Sequence, residues 1–207
     1  MKHMDQPARI ILGLSFIVLV LTSHLTSTTV SALTGDRDET SLPVLTDFVK
    51  QVWDGEADVL RGVYVPDVMA LPVMQQPIDE PGFVSRKKGE VTQFSAASYF
   101  GNIGLLAHNN LSGRHFSQLE VGTEVHLVFG DGRVDDFVVT EVLHFQALQP
   151  NSFWSYFLDI ATDEILSAGQ VFDLVYSGDY HVTFQTCIED NGDLNWGRMF
   201  VIAMPLP

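Results

Sequence analysis

A mainly β domain is expected for this 207-residue chain, on three features of its sequence. Val125, Leu127 and Phe129 alternate in the manner of a strand, Gly130-Asp131-Gly132 supplies a turn, and Val134 to Val142 returns, which is the pattern of a β-hairpin. The run from His181 to Thr186 places Val182, Phe184 and Thr186 on one face, and Met199 to Met204 is continuously apolar, with Asp190-Asn191-Gly192-Asp193 giving turn chemistry between them. Two shorter apolar runs, Val63 to Val65 and Val68 to Val73, read as further strands whose edges or bends are marked by Pro66 and Pro72.

Before these strands lies an export segment. Lys2 and Arg9 precede the twelve residues Ile10 to Leu21, apolar apart from Gly13 and Ser15, and a polar stretch then leads to the small residues Val30-Ser31-Ala32. Basic start, short apolar core and small residues are the order of a secretory signal peptide. The same residues, 1–32, would serve as an uncleaved membrane anchor if the Thr/Ser-rich continuation to Val30 were counted toward the span of about twenty residues that a bilayer requires. Either way the globular part is expected outside the cytoplasm, at the cell surface, anchored or secreted.

Residues 33–62 read as an acidic tether followed by an amphipathic helix. Leu45, Phe48, Val49, Val52 and Trp53 recur at helical spacing and should pack on the outside of the domain. Arg86-Lys87-Lys88, followed by Gly89, is the only basic cluster and reads as a solvated hairpin tip. The region from Phe145 to Tyr180 is rich in aromatic residues, and a short helix is expected within it from Ser155 to Ile165.

Charge excludes some partners. The chain carries 11 basic and 26 acidic residues for a formal charge of −15, and without the first 32 residues the balance is −16. Such a surface disfavours nucleic acid and anionic lipid, both polyanions. His115, His126 and His144 have no acidic or cysteine neighbour at metal-ligand spacing, and the acidic turns lack a calcium-loop pattern, so neither a metal nor a cofactor is expected.

The chemistry is expected around the single cysteine. Cys187 closes the first strand of the carboxy-terminal hairpin and Arg198 opens the second, which sets thiol and guanidinium on neighbouring strands about 5 Å apart. In an exported protein a lone cysteine cannot form an internal disulfide, so it must be free, pair between chains or react, and free and reactive fits best. A thiolate attacks carbonyls, and a fixed cation beside it can hold the substrate or the oxyanion that develops. His108 lies in Gly101 to Asn110, an apolar strand that ends at His108 and two asparagines, and is the candidate proton-transfer partner, brought to Cys187 only by folding.

These three segments, in this order, resemble the sortase family, the cysteine transpeptidases of bacterial cell surfaces. Sortases carry Thr-Leu-x-Thr-Cys, an Arg opening the next strand, and an upstream His that usually follows Gly. This chain has Thr183-Phe184-Gln185-Thr186-Cys187, then Arg198, and Ala107-His108. Phe for Leu keeps an apolar residue on the inward face, whereas Ala for Gly is expected to set a Cβ beside the imidazole. The resemblance implies a sortase-like, eight-stranded, partly closed β-barrel with one to three short helices, spanning residues 63–207 as the catalytic domain. It implies Cys187 as nucleophile, His108 as general acid and base, Arg198 as oxyanion and backbone ligand, and Thr186 as a lesser substrate contact. The implied substrate is an exported protein bearing a carboxy-terminal sorting motif of the Leu-Pro-x-Thr-Gly type, and the implied acceptor is an amine on the cell wall or on another protein subunit. Two alternatives remain open at this point: water as acceptor, giving an extracellular cysteine peptidase, and a non-catalytic extracellular β-barrel binding module with His108 and Cys187 as packing residues.

Overall fold

A computed structural model describes residues 42–152 and 154–207. The export segment, most of the acidic tether and Phe153 lie outside the described residues.

The amphipathic helix forms as α1, Leu45–Val52, with Phe48 buried and Trp53 just beyond its end and exposed. It lies against Gly62, where a Cβ would come within 2.7 Å of Phe48 Cε1 and 3.2 Å of Val52 Cγ2. The strands that succeed it are β1 (Leu60–Val65), β2 (Met69–Gln75), β3 (Val91–Phe94), β4 (Ile103–Leu106), β5 (Glu124–Phe129) and β6 (Val134–Ala147). After these come β7 (Tyr156–Asp159), β8 (Ile165–Ser167), helix α2 (Ala168–Tyr176), β9 (Val182–Asp190) and β10 (Asp193–Pro205). Two 3-10 segments, Ser95–Phe100 and Ser112–Gln118, make four short helical pieces among the described residues, one more than the upper expectation.

Eight strands in the order β10-β9-β4-β3-β2-β1-β5-β6 form a barrel, and β6 pairs with β10 from Gly197 to Pro205 so that the ring is closed rather than partly open. Its interior holds Val63, Val65, Leu105, Leu127, Phe137, Phe184 and Val201. A second apolar cluster covers the outer face of β6 and β10, where Phe145 and Phe200 meet Phe157, Val171, Phe172, Val175 and Tyr176 beneath α2. One face of β10 thus looks into the barrel while the other supports α2.

Three local expectations are corrected. The helix expected from Ser155 to Ile165 is the β7–β8 hairpin, turned by Asp163 at φ 60°, and the helix comes later as α2. Its start is fixed by a capping box in which the Ser167 side chain accepts from Gln170 N and the Gln170 side chain accepts from Ser167 N. Arg86-Lys87-Lys88 is not a hairpin tip, because β2 and β3 run parallel and a two-residue turn cannot join parallel strands. The cluster sits on the crossover from 76 to 90 and is exposed there. Finally, Cys187 does not close its strand and Arg198 does not open the next, since β9 continues to Asp190 and β10 begins at Asp193. The turn between them has Asn191 at φ 50° and Gly192 at φ 84°, the left-handed pair that a tight hairpin between twisted strands demands.

Candidate active site

The site is built from strand parity. On β4, Ile103, Leu105 and Ala107 belong to the barrel interior, so Leu106 and His108 point to the outer face. On β9, Val182, Phe184 and Ile188 point inward, which leaves Gln185 and Cys187 outward. On β10, Met199 and Val201 are interior, and Arg198 shares the outer face with Phe200.

Register then aligns the three residues. Cys187 is the direct partner of Arg198 across the antiparallel β9–β10 ladder. β4 runs parallel to β9 on its other side with Leu106 opposite Gln185, and Ala107 N continues the ladder by donating to Gln185 O at 3.3 Å. Two residues further along each strand, His108 comes level with Cys187. His108, Cys187 and Arg198 therefore stand in one row across three adjacent strands. They line a single cavity of about 30 Å³ together with Val84, Leu106, Ala107, Gln185 and Thr186.

The imidazole is enclosed, with His108 only 8% exposed. Burial holds its pKa below the ordinary histidine value, a hydrogen bond to the Val84 backbone opposes that, and the nearby charge of Arg86 lowers it further. Nε2 is buried and has no hydrogen-bond partner among the described residues. In the neutral tautomer that keeps its proton on Nδ1, the lone pair sits on Nε2. The backbone around it is fastened as well, since His108 O accepts from Leu111 N and from Gly113 N, each at 2.9 Å.

Arg198 is buried, and its Nη1 donates to Asn195 O at 3.1 Å and Gly197 O at 2.8 Å. Carbonyls of its own strand thus hold the guanidinium fork in place. Cys187 is half-buried and is a free cysteine. Thr186, buried beside it, gives its hydroxyl to Ala107 O at 2.9 Å and so ties the strand of Cys187 to the strand that leads into His108.

The Cβ of Ala107 is not beside the imidazole. Ala107 is one residue out of phase with His108, and its methyl packs with the barrel interior rather than against the ring.

Sequence reasoning misses Gln185 and the contact that Tyr176 makes with it, although Gln185 falls at the same-face spacing from Cys187 and is a polar residue within an otherwise apolar stretch. Tyr176 Oη donates to Gln185 Oε1 at 2.6 Å across a buried contact. Among the histidines read as structural, His126 pairs with Asp136 across the β5–β6 hairpin at 2.7 Å. His144 lines a larger cavity of about 300 Å³ that also reaches Cys187, with Asn109, Asn110, Arg114 and Glu189 around it.

No family model matches the sequence, and no curated protein does. Solved structures that it resembles are sortases. Sortase C-1 from Actinomyces oris is similar at a TM-score of 0.48 and 14% identity, over 82% of this chain and 84% of that one. A Clostridium perfringens Sortase D5 transpeptidase is similar at 0.47 and 12% identity, over 78% and 88%. Sortase C1 of GBS Pilus Island 1 is similar at 0.45 and 15% identity, over 71% of this chain and 64% of that one, less than two thirds of its length. Likeness at this level assigns no residue its role.

Proposed function

We propose that the chain is a sortase-like cysteine transpeptidase of the cell surface, acting on a carboxy-terminal sorting signal of an exported protein. What supports the reading is the row of His108, Cys187 and Arg198 on one sheet face, lining one cavity with an unpartnered Nε2. A thiol, a base with a free lone pair and a fixed cationic fork are the three parts that acyl transfer through a thioester needs.

Each part has a step. His108 Nε2 takes the thiol proton, and the Cys187 thiolate adds to the scissile carbonyl. The carbonyl oxygen takes up negative charge, which the Arg198 guanidinium stabilises with N–H donors. As the C–N bond breaks, His108 returns the proton to the leaving amine, and the acyl group remains on Cys187 as a thioester. An incoming primary amine then adds to the thioester carbon, loses its proton to His108, and expels the thiolate, leaving a new amide. The export segment read at residues 1–32 supplies the location, as a cleaved signal or as a membrane tether.

Incubating the protein with a mixed library of Leu-Pro-x-Thr-Gly-type peptides, with and without an added primary amine, tests the function. Peptide fragments joined to the amine are expected. Fragments ending only in carboxylate would replace the proposal with a cysteine peptidase, and an unaltered library would leave the barrel as a binding module.

A further inference from the structure

Gln185 stands two residues before Cys187 on the same outward face of β9, about 7 Å along the strand, and it lines the same cavity as His108, Cys187 and Arg198. Its amide orientation is set by its neighbour. The Tyr176 phenol is wholly buried, and its proton goes to Gln185 Oε1, at 2.6 Å. Reversing the amide would make the phenol an acceptor and strand its proton in the interior, a cost of about 1–3 kcal/mol. Burial pushes the phenol pKa far above its ordinary value, so Tyr176 remains a donor throughout the working range.

With Oε1 committed, both N–H groups of Gln185 Nε2 are left for other acceptors, and none of the described residues accepts from them. The rest of the cavity lining carries no carboxylate: Val84, Leu106, Ala107, His108, Thr186, Cys187 and Arg198. We propose that Gln185 is a substrate-positioning donor, its amide locked by Tyr176 so that Nε2 binds a backbone carbonyl of the peptide one or two residues from the scissile bond. Arg198, level with Cys187, is then left for the oxyanion itself. The spacing suits this division, because an extended peptide advances about 3.3 Å per residue and the two donors are about two residues apart along the strand. Tyr176 acts only through Gln185 and is a positioning residue.

This inference rests on the acyl-transfer reading of the site, and one experiment separates the two. Single-turnover acylation of Cys187 would be followed by intact mass with Leu-Pro-x-Thr-Gly-type peptides carrying a thioamide at one position at a time, since sulfur is the weaker acceptor. Wild type, Gln185→Leu, Gln185→Glu and Tyr176→Phe would be compared. In wild type one thioamide position, one or two residues from the scissile bond, should slow acylation by about three- to tenfold, the worth of one neutral hydrogen bond. Gln185→Leu should be slower by a similar factor with the all-oxygen peptide and insensitive to that thioamide. Tyr176→Phe should lose part of the same factor, chiefly through KM, and should add nothing in the Gln185→Leu background. Gln185→Glu keeps the shape but turns a donor into an acceptor, and it should be at least as slow as Gln185→Leu. Normal rates in Gln185→Leu, or an unchanged thioamide penalty in that variant, overturn the proposal while leaving the nucleophile intact. Absence of acylation in wild type by every peptide overturns the acyl-transfer reading, and this inference with it.

Discussion

Arg198 is the register partner of Cys187 in the β9–β10 ladder, on the same outer face, with its guanidinium fastened to two carbonyls of its own strand. A cation held this way needs no reorganisation when charge develops beside the thiol. That is the condition under which a preorganised donor contributes most to a transition state.

Arg198→Ala should therefore slow acylation of Cys187 on the order of a hundredfold or more, as loss of one oxyanion donor does. Arg198→Lys should recover little of this, because an ammonium cannot keep two carbonyl contacts and still present a planar fork. Single-turnover mass kinetics reads both variants.

Acidification should destabilise the fold starting near the ordinary histidine pKa of about 6.5. Burial lowers the pKa of both His108 and His115 in the folded chain, with Arg86 and Arg114 adding to it respectively. Between the unfolded and folded values the unfolded chain binds more protons, so stability is full above the unfolded pKa, falls as pH drops below it, and levels off under the folded pKa. Urea midpoints measured from pH 8 to 5 check the direction, and replacing both residues with Gln should flatten the slope.

Gly113→Ala should damage the site without touching its chemistry. A Cβ there would collide with Thr186 Oγ1 and would lie 2.7 Å from His108 O and 2.8 Å from Ala107 O. The backbone that holds His108 has to give way, at about 1–3 kcal/mol, the usual cost of overpacking. Thermal unfolding gives the stability loss, and acylation should fall with it more steeply than in Gly169→Ala, where a Cβ meets nothing within 4 Å.

Much of this is legible in the sequence for reasons of parity. Alternation across Val182, Phe184 and Thr186 fixes Cys187 on the outer face, but the turn alone does not set Arg198 opposite it: Asp190 pairs with Asp193 beside the Asn-Gly turn, and an irregularity between Asp193 and Gly197 shifts the ladder so that Arg198 meets Cys187. The lengths of β9 and β10 are not legible, because Glu189, Asp190 and Asp193 read as loop, whereas paired backbone carries the strands to the turn. The misplaced helix has a similar cause. Tyr156, Phe157 and Leu158 suit either helix or strand, and the deciding signal is the box between Ser167 and Gln170. Gln185 offers only its same-face spacing from Cys187 as a signal, because its role depends on the docking of α2, which brings Tyr176 to it, and no local pattern encodes that contact.

The most direct test of the central claim is the intact mass of the protein after brief exposure to the peptide library. An added mass on wild type is predicted, located at Cys187, removed by hydroxylamine as a thioester would be, and absent from Cys187→Ala. A wild-type protein that gains no mass, or a Cys187→Ala variant that processes the same peptides equally well, would contradict it.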